Sequence, residues 1–227
     1  IKNHRLFIKP FVDALVKESI SLELKGKFSE SEHLNEMAAH AAEVFNDIFS
    51  EKSLLIAVNY LTVWNKVQKK KKLQADSLYA LGTRIRGNEP NKAAGIYYDA
   101  IALYRNIGDE RGESEILGGH GLIYTIIDYD TSLVYYKDAL AIREKVDDRV
   151  LIGNALNSIG SLYYGVFKNY SLALNYLDSA EKVRTDLGDS LNLGRTIHTK
   201  ASTLEKLGQY DQALKYFRRS IELNQSS

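Results

Sequence analysis

The residues that could carry chemistry are scattered along this chain, and each group lacks part of what its chemistry requires. His33, Glu36 and His40 fall at i, i+3 and i+7 of a helical stretch. That spacing spreads three metal donors over about two turns, and no fourth ligand accompanies them, so no metal site is expected. Lys69 to Lys72 form a run of four suited to phosphate, a membrane surface or an import receptor. Cations drawn to the carbonyls of a helix end account for it equally well. Gly118, Gly119 and Gly121 echo a phosphate-binding loop. No strand precedes them and they fall inside a predicted helix, so the loop context is wrong. Asn169-Tyr170-Ser171 satisfies the glycosylation acceptor pattern, one that arises often by chance. His120, on an apolar stripe, reads as a neutral buried histidine with one partner rather than a catalytic base. Nowhere do a nucleophile, a base and an orienting group share a local context. The expectation is a non-enzymatic chain with no catalytic residue and no cofactor.

Composition narrows the classes further. Thirty basic against 29 acidic side chains give a formal charge of +1, so no global field recruits nucleic acid or an anionic membrane. No stretch reaches the roughly 18 apolar residues of a membrane span, and membrane insertion is not expected. The absence of cysteine excludes disulfides, thiolate metal sites and a cysteine nucleophile within the chain. It leaves the compartment open, with the cytoplasm favoured and the periplasm compatible. The first residue is Ile1 rather than methionine, which fits a processed protein or an excised piece. The 15 tyrosines include adjacent pairs such as Tyr97-Tyr98 and Tyr135-Tyr136, which suit helix packing with one ring at a wet boundary.

The elements that must position these residues come from self-similarity. Gly82, Gly121, Gly160 and Ala201 recur at intervals of 39, 39 and 41, and Ala100, Ala139, Ala180 and Ser220 at 39, 41 and 40. Two small-residue marks sharing one period indicate a repeated helix pair. Large apolar residues surround each small one at i, i+3, i+4 and i+7, as in Leu78, Leu81, Gly82, Ile85 and in Tyr97, Ala100, Ile101, Tyr104, the stripe of an amphipathic helix. Tyr129, Tyr170 and Tyr210 recur ahead of the second helices, where Asp130, Ser171 and Asp211 are expected as N-caps. Gly108-Asp109, Asp147-Asp148 and Gly188-Asp189 each offer a stop followed by a cap for the next unit.

These residues resemble the tetratricopeptide repeat, through Leu81-Gly82, Ile159-Gly160, Tyr170, Ala173 and Ala180, and through Tyr210, Ala213, Phe217 and Ser220. The period near 40 is similar to the long variant found in kinesin light chain, polarity adaptors and many bacterial signalling and regulatory proteins. The resemblance implies an all-α, right-handed superhelix of about five helix pairs plus an N-terminal helix. Residues 77–227 would form the regular array, in units of about 77–109, 110–148, 149–189 and 190–227. Residues 1–76 would hold divergent helices: one over 4–25, either covering the end of the stack with Phe7, Phe11, Leu15 and Leu22 or left as the lone second helix of a lost repeat, and a pair over 31–72 opened by a Ser29/Glu32 capping box. AVNYLTVWNKV at 57–67 parallels ALNYLDSAEKV at 173–183 in that pair. Lys200, His120 and Ser132 depart from the family's apolar or alanine positions, so looser packing is expected there.

In such a stack the first helices line a concave surface. Projecting away from the apolar stripe gives Asp76, Tyr79, Thr83 and Arg86; Glu115, Leu122 and Thr125; Asn154, Asn157, Ser161 and Tyr164; and Arg195, His198, Ser202 and Glu205. Asparagine can donate and accept at once along an extended backbone, and arginine can grip a carboxylate. The resemblance therefore implies a scaffold that binds a protein or an extended peptide in this groove. The alternative it allows is the sensor or regulatory stretch of a larger, bacterial signalling protein whose output domain lies outside these residues. The lysine, arginine and asparagine set with which some members clamp a C-terminal carboxylate is missing at the corresponding places. The last helix, with Leu214, Phe217 and Ile221, carries an apolar face expected to meet another copy or a further domain.

Overall fold

Eleven α-helices and no strand make up residues 5–225, the residues that the computed structural model describes. They are α1 (Arg5–Leu24), α2 (Phe28–Phe49), α3 (Ser53–Val63), α4 (Lys66–Ile85), α5 (Pro90–Ile107), α6 (Glu110–Ile127), α7 (Tyr129–Lys145), α8 (Arg149–Gly165), α9 (Tyr170–Leu187), α10 (Ser190–Lys206) and α11 (Tyr210–Gln225). His4, where the first helix is expected to open, lies outside the described residues. From α4 onward the helices pair as α4/α5, α6/α7, α8/α9 and α10/α11, and the hairpins stack through α5 on α6, α7 on α8 and α9 on α10. Successive first helices also meet, α4 with α6 and α8 with α10, more than successive second helices do. The first helices therefore hold the inner side of the curve.

The recurring small residues are where the paired helices come closest. Ala100, Ala139 and Ala180 are fully buried. A Cβ on Gly121 would stand 2.7 Å from the Tyr136 ring, and one on Gly160 would stand 2.8 Å from Cγ of Leu177. A large side chain of each second helix thus lies directly on the backbone of the first. At two departures the expected looseness is corrected. Ser132 donates its hydroxyl to the carbonyl oxygen of Gly121 at 2.7 Å. Lys200 lies 2.6 Å from Asp178 and 2.8 Å from Glu181, 4.3 Å from the centre of the Tyr216 ring. A buried polar group that finds its partner loses little of what an apolar one would contribute.

The junctions follow the sequence closely, and the caps of the second helices do not. Gly108 and Gly188 take φ of 72° and 70°, the left-handed turn that glycine adopts without strain. Asp109, Asp148 and Asp189 then accept from the amides of Gly112, Leu151 and Asn192 at 3.0, 3.1 and 3.3 Å. Tyr129 and Tyr170 are already the first helical residues, so the caps are Asp128 and Asn169, two positions before the expected Asp130 and Ser171. Tyr210 likewise opens α11, which puts Asp211 inside its first turn. A side chain already in the helix points back along it and cannot reach the amides it was expected to bind.

The N-terminal third differs most. The segment expected as one pair over 31–72 is α2, α3 and the beginning of α4, and the boundary expected at 76/77 falls inside α4. The break lies at Trp64, which is extended (φ −79°, ψ 132°), followed by Asn65, whose side chain forms a capping box with Gln68. Trp64 stacks on Tyr60 and donates its indole N–H to the carbonyl of Ile107 at 3.0 Å. The Ser29/Glu32 box does not form, because α2 begins at Phe28 with Lys27 as its N-cap. The lysine run occupies the first turns of α4, the end that disfavours cations. Internal partners offset this: Lys69 pairs with Glu23 at 2.6 Å, Lys72 with Asp76 at 2.7 Å and Asp109 at 3.1 Å, and Lys71 donates to Asn106 at 2.6 Å.

On α1, Phe7 and Phe11 are 74% and 51% exposed, while Val12, Val16 and Ile20 form the buried face. Beyond packing on α2, α1 reaches onto the concave side of the stack. There Arg111 of α6 grips Asp13 through both guanidinium ends, at 2.5 and 2.8 Å, and Lys9 pairs with Asp148 at the start of α8.

Candidate functional site

Two cavities open on the concave side beside α1. The smaller, of about 340 Å³, lies among α1, α3, α4 and α6 and is lined by Tyr60, Trp64, Lys72, Asp76, Tyr104 and Asp109 among others. Several of its polar groups pair with one another. Tyr104 donates to Asp76 at 2.7 Å, and Lys72 bridges Asp76 and Asp109. Burial opposes the charge on Lys72, yet Asp109 and Asp76 together hold its pKa above the usual lysine range. Burial, with Asp109 adding to it, pushes the Tyr60 hydroxyl up to about 12. The network ties α4, α5 and the start of α6 together, and Tyr60 of α3 joins it by donating to the carbonyl of Gly108 at 3.1 Å.

The larger cavity, of about 650 Å³, has side chains of α4, α6 and α8 for its floor and Lys9, Pro10 and Asp13 of α1 for one rim. Of the residues projected onto the concave face, Tyr79, Arg86, Glu115, Leu122 and Asn154 line it. Asn157 sits next along α8 and accepts from Thr196 at 3.1 Å. The rest lie apart from the cavity. Thr83 hydrogen-bonds the Tyr97 hydroxyl at 2.8 Å, His198 meets Phe217 edge-on, and Tyr164 faces Tyr170, so all three lean toward neighbouring second helices. Thr125 and Ser202 return their hydroxyls to carbonyls of their own helices, those of Leu122 and His198. Ser161 is half-buried on α8, and Arg195 and Glu205 are exposed on α10.

Several lining groups escaped the helical projection. Tyr136 and Arg143 come from α7, a second helix, and Ser158, Val150 and Leu151 from the side of α8 nearer α7. Arg143 donates to the carbonyls of Ser114 on α6 at 2.9 Å and of Leu151 on α8 at 3.2 Å. It fits because Gly118 has no side chain; a Cβ there would collide with the guanidinium. Arg184 makes the equivalent link one unit later, to Asn192 at 2.7 Å and to Asn154 at 3.0 Å, with Thr196 as a third acceptor. Burial draws the pKa of both arginines down, that of Arg184 to about 10. The 41-residue interval between Arg143 and Arg184 is the signal that could have found them. Burial first, and Glu115 next, pushes the Tyr79 hydroxyl up to about 12, so it stays a neutral donor. Asp148 keeps its charge: Lys9 and Arg111 outweigh the burial that opposes it.

His33 and His40 lie on the exposed side of α2, and among the described residues no group of three or more His, Cys, Asp or Glu is gathered as for a metal. No helix of the described residues is long and apolar enough to cross a membrane.

Comparison with known proteins places these helices. Residues 151–226 match the family model described as tetratricopeptide repeat. Tetratricopeptide repeat protein 29 of Homo sapiens is 31% identical over 94 residues, covering 39% of this chain and 20% of that protein. The protein of the same name from Macaca fascicularis is 27% identical over 96 residues, again 20% of its length. The match thus spans about a fifth of these relatives. The crystal structure of BtubC (BKLC) from P. vanneervenii overlays 96% of this chain and 91% of its own, with a TM-score of 0.66 at 17% identity. A signal transduction ATPase with numerous domains from Pyrococcus horikoshii, described as having a tetratricopeptide repeat sensor, overlays the whole chain and 37% of its own, with a TM-score of 0.60 at 16% identity. At these identities the structural likeness is one of fold.

Proposed function

We propose that this chain, a solenoid of tetratricopeptide repeats, is a non-enzymatic scaffold that binds an extended peptide segment of a protein in its concave groove. The observation that carries this is the 650 Å³ cavity shared by three successive first helices, floored by apolar side chains and ringed by groups able to hydrogen-bond a peptide backbone. Leu122 in its lining is 42% exposed, an apolar surface that a ligand side chain would cover. Lys9, Asp13 and Glu115 are ion-paired there and burial holds the Tyr79 and Tyr136 hydroxyls neutral, which suits recognition better than proton transfer. A sensor stretch of a larger signalling protein, the role described for the repeats of the P. horikoshii ATPase, would use the same groove. The two readings differ in whether the ligand changes a further domain.

The test is fluorescence anisotropy of labelled random peptides of about nine residues with the whole chain. Saturable binding is expected, and Leu122→Trp, which fills the cavity from an exposed helical position, should weaken it by about tenfold or more. Binding that ignores Leu122→Trp would move the site off this face.

A further inference from the structure

Arg143 and Arg184 occupy the same place in successive second helices, yet their guanidinium groups are satisfied differently. Arg184 reaches two side-chain acceptors, Thr196 and Asn154, besides the Asn192 carbonyl. Arg143 reaches backbone carbonyls only. The cause is in the sequence. The residue matching Thr196, 41 positions earlier, is Ala155, which cannot accept; the residue matching Asn154, 39 positions earlier, is Glu115, whose carboxylate lies toward Arg111 at 3.7 Å. An always-charged group with five donors is thus 5% exposed, and its Nε, like that of Arg184, is unbonded. Asp148 and Glu115 attract this charge from a distance without offsetting its burial, and an anion brought by a ligand would relieve what remains.

The surroundings are of the same kind. Arg86, at the end of α4, lines the cavity and joins no ion pair among the described residues. The hydroxyls of Tyr79 and Tyr136 lie in the field of both arginines. Asn154 offers its Oδ1 to Arg184, which leaves its amide N–H groups to donate. The lining carboxylates, Asp13 and Glu115, both face Arg111. The free hydrogen-bonding capacity of the cavity is therefore mostly that of donors.

We propose that this cavity takes the side-chain carboxylate of an acidic residue in an extended peptide, held by Arg86 from α4 and Arg143 from α7, with Tyr136 as a further donor. Tyr136 itself accepts from Ser158. The assignment rests on the groove described above and adds the charge of its ligand. It differs from a clamp built on first helices alone, because Arg143 enters from a second helix through the gap at Gly118.

The experiment uses labelled peptide pools of about nine residues, random except for a central Glu, Gln, phosphoserine or Lys, titrated against the whole chain by anisotropy. The Glu pool should bind about tenfold tighter than the Gln pool, as for a charge-assisted hydrogen bond against a neutral one, and the advantage should shrink at high salt. Arg86→Gln, at a half-buried helix end, should abolish the advantage, and Arg143→Met should do the same wherever its thermal melt shows a folded chain. Equal binding of the Glu and Gln pools, both still lost in Leu122→Trp, would overturn the anion site and leave the groove. A phosphoserine preference with Glu equal to Gln would overturn the carboxylate assignment, and so would an advantage that survives in Arg86→Gln. If no pool binds, the groove itself falls, and this site with it.

Discussion

His120 shows how one side chain can go against the rest of the core. It is fully buried, and neither ring nitrogen has a partner, so the single partner expected from its place in the stripe is not there. Its neighbours are rings: Tyr97 and Tyr98 of α5 at 5.2 and 4.7 Å between centres, Tyr135 of α7 at 4.8 Å, and Tyr124 of its own helix at 6.0 Å. With no carboxylate in this shell, burial alone draws its pKa down to about 4. The unfolded chain, with an ordinary value near 6.5, then binds the proton first. The stability due to the neutral ring is complete above about pH 6.5 and is lost as the pH falls toward 4, by roughly 3 kcal/mol across that window. His120→Leu restores the residue type usual in such repeats and removes this dependence. Urea midpoints measured from pH 4 to 8 should therefore diverge between the two proteins on the acid side, the variant being the more stable. Parallel curves would mean that the imidazole finds a partner or solvent when charged.

At the scale of the helix, what could be read from sequence followed the strength of the local constraint. The stack from α4 to α11 was legible because a glycine under a tyrosine or leucine, as at Gly121 and Gly160, leaves a mark that recurs with the period. The glycine-aspartate junctions were legible because a left-handed residue and its cap are adjacent in sequence. The break at Trp64 was not, since the likeness of 57–67 to 173–183 hides it: the paired segments agree in apolar pattern from Ala57 to Leu61, and three residues later one continues as α9 while the other stops. Tertiary contacts decide there, through the Trp64 bond to Ile107, and the capping box of Asn65 and Gln68 then starts α4, with Val67 and Gln68 donating to Asn65 at 2.9 and 3.0 Å. Asn65→Ala should cost about 1 kcal/mol. The urea midpoint should fall with an unchanged slope. No change in midpoint would show that the Trp64 contacts alone set the start of α4.

For the molecule as a whole, the concave face is shaped by residues far apart in the chain. Leu122 and Asn154 could be projected into the groove from their own helices, but Arg143 lies on the buried stripe of a second helix and needs Gly118 on another helix to let it through. Lys9 and Asp13 belong to a helix whose burial pattern departs from expectation at Phe7 and Phe11, and their partners Asp148 and Arg111 are 139 and 98 residues away. No local pattern encodes pairs of that separation. They divide α1 into two stretches held by different forces. Val12, Val16 and Ile20 are buried in an apolar cluster with Ala38, Ala42 and Phe45 of α2, while Lys9 and Asp13 hold the earlier turns to the stack by charge. Salt weakens such ion pairs where solvent reaches them and leaves apolar burial intact. Replacing Asp13 with Asn should thus loosen the first turns selectively. In native-state hydrogen exchange, the amides of residues 9 and 11–13 should exchange about tenfold faster or more in the variant, and faster in the parent protein as salt rises, while those of 16–24 hold their protection. Faster exchange along all of α1 would mean that the helix opens as one unit and that the ion pairs on the concave face, not the contacts with α2, keep it in place.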